Sequence, residues 1–118
     1  MDIVYASLRR RTRAPDDTTS EMSEALGTLW AHATPGDGLE HASGRSEQDR
    51  VDLLMYLLTH DCAAPGSRSA VHRASSLLHR CHAASALMQR RYLPPDEPMG
   101  LLRVAGLRSC TAPTPQNQ

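Results

Sequence analysis

The chain contains no lysine, no phenylalanine, a single isoleucine (Ile3) and a single asparagine (Asn117). Without lysine there is no ammonium to sit on the phosphates of a P-loop and no amine for Schiff-base or pyridoxal chemistry, so both classes are excluded. Neither a Gly-x-Ser-x-Gly elbow nor a Gly-rich phosphate loop occurs, which removes the common hydrolase and nucleotide signatures. The scarce residues share AT-rich codons. Arginine in place of lysine therefore reads as the mark of a GC-rich genome and carries no functional meaning by itself.

Cysteine is sparse, and Cys62, Cys81 and Cys110 lie far apart. An odd, scattered set of this kind predicts reduced thiols and a cytoplasmic protein. No apolar run approaches the roughly 18 residues of a membrane-spanning helix, and the N-terminal "MDIVYASLRRRTR" is too short in apolar residues for a signal peptide. Aromatics are few, with Trp30 and three tyrosines, which leaves little to stack on bases.

The chain has 118 residues and no net charge, enough for one domain with a real core. Its charge is unevenly distributed. Residues 1–14 carry +3, residues 15–61 carry ten acids against two arginines, and residues 62–93 carry five arginines and no acid.

Apolar periodicity predicts helices throughout. From Thr18, Met22, Ala25, Leu26, Leu29, Trp30 and Ala33 fall within one arc at 3.6 residues per turn, with Glu21 completing a capping box. Ser46 caps a second segment, "EQDRVDLLMYLLTHD", in which Val51, Leu54, Met55 and Leu58 form one face and Leu53 and Leu57 widen it. So broad an apolar arc predicts burial on two sides, as either the central helix of the bundle or a helix that also meets a partner. A third helix is expected over about 67–93, with Val71, Ala74, Leu78, Cys81, Ser85, Met88 and Tyr92 on a dry stripe. A short fourth segment through Leu101, Leu102 and Val104 closes the bundle. The expected fold is all-α, a small antiparallel three-helix bundle with a short fourth helix. It comprises a basic arm (1–16), a helical domain (17–108) and a disordered Pro-rich tail (109–118).

His60, Cys62, His79 and His82 could be drawn as a zinc site, but no CxxC or HExxH is present and Cys81 points away. A carboxylate pair among Asp49, Asp52 and Asp61 is conceivable, although acids are expected on any solvated helix face. The expectation is therefore no metal, no cofactor and no catalysis. The leading reading is a protein-interaction or regulatory module with a protein partner or a homodimer, meeting it through Leu53, Tyr56 and Leu57. The alternative is a nucleic-acid-binding protein, neutralising phosphates with Arg9, Arg10 and Arg11 of the arm and Arg68, Arg73, Arg80, Arg90 and Arg91 of the third helix.

Overall fold

The structure is a computed structural model, and it describes residues 1–12, 18–59, 69–95 and 100–102. The elements in chain order are β1 (Asp2–Arg9), α1 (Thr18–His32), a single 3-10 turn (Pro35–Asp37), β2 (Leu39–Ser46), β3 (Arg50–Leu57), α2 (Ala70–Ala84), α3 (Ala86–Arg91) and β4 (Gly100–Leu102). The strands form one antiparallel sheet in the order β2-β3-β1-β4. This is the split β-α-β-β-α-β arrangement called ferredoxin-like. The all-α helix bundle expected from periodicity is thus corrected to a mixed α/β fold.

The correction has a specific cause in β3. Its odd residues Val51, Leu53, Met55 and Leu57 are buried under the helices, while Arg50, Asp52, Leu54 and Tyr56 point to the other face. A period of two was therefore present, but Leu54 and Tyr56 make the outer face apolar as well. Apolar residues on both faces look like a wide helical arc. The same period runs through β1, where Val4, Ala6 and Leu8 are buried and Ile3, Tyr5 and Ser7 are half-buried on the opposite face. Residues 2–9 are therefore one of the two central strands of the sheet and not an arm. Gly100–Leu102 pairs with β1 as a strand where a fourth helix was expected. Val104 and the expected tail, 109–118, lie outside the described residues.

Helix α1 begins at Thr18 as expected; Glu21 is buried in the protein, and Trp30 is 45% exposed. The expected third helix is split. Ser69 caps α2 by accepting from His72 N at 3.1 Å. Ser85 is extended and caps α3 by accepting from Met88 N at 3.2 Å. From these helices Leu29, Ala74, Leu77, Leu78, Cys81 and Met88 meet the inner face of the sheet, where each large side chain contributes about 1.5–3 kcal/mol. Gly44 on β2 permits the closest approach, because a Cβ there would collide with Met22 of α1. Gly38, at φ 70°, takes the left-handed turn into β2 that glycine adopts without strain.

Candidate functional site

The helices cover one face of the sheet only. Strand register sets the residues of the other face in rows: Ser7, Asp52 and Arg45; Tyr5, Leu54 and Ser43; Ile3, Tyr56 and His41. The face is polar at the β2–β3 hairpin end and apolar at the other. Among the described residues no element lies over it.

Asp52 organises the polar end. One carboxylate oxygen, Oδ1, accepts from Ser7 Oγ at 2.7 Å, Arg50 Nε at 2.9 Å and the Tyr5 hydroxyl at 3.1 Å. Burial by itself would raise the Asp52 pKa; the bonds from Ser7, Arg50 and Tyr5 outweigh it and hold the carboxyl below its ordinary value. Beside it, Tyr5, Ser43, Gly44, Arg45, Asp52 and Leu54 line a groove of about 230 Å³. In the apolar row the His41 and Tyr56 rings sit 5.2 Å apart, tilted at 59°.

Two charged clusters lie on the helix side. Glu21, buried in the first turn of α1, accepts from Arg10 and, at 2.9 Å, from the Tyr92 hydroxyl. Arg10 Nε also donates to Glu47 O at 2.9 Å. Burial, and then the bond to Glu21, push the Tyr92 phenol well above its ordinary pKa, so it remains a donor. In the second cluster Asp37 Oδ2 accepts from Thr34 N at 2.8 Å, Thr34 Oγ1 at 3.1 Å and Arg80 Nη2 at 2.5 Å. Burial opposes the charge on Asp37, but the Thr34 and Arg80 bonds prevail and lower its pKa. Arg73, fully buried, donates to the backbone oxygens of Asp37 and Leu58, both at 2.9 Å. It thereby ties the 3-10 turn to the end of β3.

These placements scatter the residues expected to act together. Leu53 and Leu57, expected at an interface, are 2% and 0% exposed in the core, so the monomer itself supplies their second cover. Tyr56 does lie on the open face. Of the expected phosphate-binding arginines, Arg10, Arg73, Arg80 and Arg91 are engaged with Glu21, backbone oxygens, Asp37 and Glu24 respectively. Arg9, Arg11 and Arg90 are exposed, and Arg68 lies outside the described residues. His60 and Cys62 lie outside them too. His79 contacts Ser75 O at 2.8 Å and His82 contacts Tyr92 O at 3.0 Å, and no metal-holding group of His, Cys, Asp or Glu is found among the described residues. No described helix is long and apolar enough to cross a membrane.

Sequence reasoning missed Tyr5, Ser7 and Asp52 as a unit. The signal was the alternation of β1, which is needed before Asp52 acquires neighbours. Comparison with known proteins finds no matching family model, curated protein or solved structure.

Proposed function

We propose that this protein is a non-catalytic interaction module of the cytoplasm that self-associates through the open face of its sheet. The observation that carries the reading is the row of half-buried apolar side chains, Ile3, Tyr5, Leu54 and Tyr56, across the two central strands. Contiguous exposed apolar surface marks an interaction site, and sheets stack face to face about 10 Å apart.

A second copy suits this face because its rows are self-complementary. A twofold axis parallel to the strands lays β3 of one copy over β1 of the other. Leu54 then meets Tyr5 and Tyr56 meets Ile3, each pairing made twice, as an isologous interface requires. Arg50 brings no free cation, since Asp49 and Asp52 already pair with it at 3.2 and 2.9 Å. The free Cys81 thiol supports the reducing compartment. A nucleic-acid surface is less well supported, because four of the eight candidate arginines are already engaged with carboxylates or backbone oxygens of the chain.

Sedimentation equilibrium tests the reading. The wild type is expected to be dimeric, and the double variant Ile3→Asp/Tyr56→Asp monomeric with an unchanged far-ultraviolet circular dichroism spectrum. A wild type that stays monomeric up to about millimolar concentration, where even weak complexes form, overturns it.

A further inference from the structure

The Asp52 carboxylate is used asymmetrically. Ser7, Arg50 and Tyr5 all donate to Oδ1, whereas Oδ2 has no protein donor among the described residues. Asp52 also lines the groove with Tyr5, Leu54, Ser43, Gly44 and Arg45. A fixed anionic acceptor beside apolar walls is the usual composition of a small-ligand site, in which a few placed polar groups orient an apolar body.

We propose that this groove binds a small, neutral, single-ring ligand that donates one O–H or N–H hydrogen bond to Asp52 Oδ2. Size and charge select that class. At about 230 Å³ the groove is smaller than the roughly 300 Å³ at which drug-sized sites begin. Arg50 already supplies a cation to Asp52 through Oδ1, and Arg45 on the groove wall is paired with Glu47, so the charge of the carboxylate is met within the chain and Oδ2 needs only a neutral donor. The hollow lies over the backbone of Gly44 and over Ser43, a small residue that leaves room beside Leu54 and Tyr5. The site rests on the proposed dimer for its roof: a second sheet would close the open side over the ring.

Nuclear magnetic resonance titration with three probes tests the site: 4-methylphenol, its methyl ether 4-methylanisole, which lacks the donor, and the cation benzylamine. The phenol is expected to shift the backbone resonances of Ser43, Asp52 and Leu54 and to bind at least about tenfold tighter than the ether, about the 1.4 kcal/mol expected of a hydrogen bond to a charged acceptor. Benzylamine is expected to bind more weakly than the phenol. In Asp52→Asn the amide oxygen keeps the Oδ1 position with its donors and turns the NH2 toward the groove. Preference for the phenol should therefore vanish while affinity for the ether is unchanged, a pattern that general loss of structure does not produce.

The monomeric variant Ile3→Asp/Tyr56→Asp leaves the groove lining intact and should keep the phenol preference at reduced affinity. Equal binding of phenol and ether, tighter binding of benzylamine, or shifts confined to other residues overturns the site even if the wild type is a dimer. A monomeric wild type that retains the preference supports the site and refutes the dimer alone.

Discussion

Replacing Glu21 by Gln tests whether the Arg10–Glu21–Tyr92 cluster is a unit. The Arg10 and Glu21 side chains are only 3% and 2% exposed, and the cluster joins the end of β1, the start of α1 and the residue after α3. Glutamine keeps the shape and can still accept from the Tyr92 hydroxyl, but it leaves the guanidinium buried without a counter-charge. Removing one member of a buried pair costs about 3–5 kcal/mol. The retained tyrosine bond places the expected loss near the lower end, about 3 kcal/mol. Against a domain stability of about 5–15 kcal/mol that is a large share. At about 4 °C per kcal/mol for a chain of this size it lowers the Tm by about 12 °C. Urea denaturation of Glu21→Gln measures it directly. A triple variant, Arg10→Met/Glu21→Leu/Tyr92→Phe, removes both charges and the hydroxyl together and should be more stable than the single variant, because nothing charged is left unpaired. A loss below about 1 kcal/mol in Glu21→Gln, the value of an exposed pair, or a triple variant less stable than the single one, refutes the reasoning.

Asp37 makes stability depend on pH in the acid range. Its folded pKa is lowered, so its contribution is present above the unfolded value of about 3.9 and is lost as pH falls through the folded value. The stability gap between wild type and Asp37→Asn, read by urea denaturation, should therefore narrow as pH falls below about 4; a gap unchanged from about pH 6 to pH 2 contradicts the assignment. Cys81 is fully buried and burial raises its thiol pKa to about 11. With Cys62 and Cys110 replaced by serine, thiol labelling at pH 8 should proceed only as fast as the domain opens, and labelling as fast as in the urea-unfolded chain would place Cys81 at the surface.

The helices were legible because their signals are local. Thr18 starts α1, and the dry stripe through Ala74, Leu78 and Cys81 is the buried side of α2. The sheet was not. In "RVDLLMYL" three leucines and a methionine favour helix locally, and the β2–β3 hairpin turns at Glu47–Asp49 without an Asn-Gly or Asp-Gly pair. What decides for a strand is the company of β1 and β2, a tertiary fact absent from the segment itself. The candidate site inherits this blindness. Tyr56 was visible as an apolar residue in excess, whereas Asp52 becomes a fixed acceptor only once register places Ser7 opposite it.

The charge blocks of the sequence find their explanation in the same assembly. The acidic stretch 15–61 supplies Glu21 to Arg10 of the basic beginning, and Glu24 and Asp37 to Arg91 and Arg80 of the basic helices. Each of these pairs joins two different parts of the fold, and each lies on the helix side of the sheet. An excess of one sign in a segment is thus a record of which elements meet, and such pairs favour one arrangement of helices over the reverse. A cation paired with a carboxylate or a backbone oxygen is less available to neutralise a phosphate. With Arg10, Arg73, Arg80 and Arg91 engaged in this way, the open face, where apolar rows and one unshared carboxylate oxygen stand together, is the surface on which the proposed association rests.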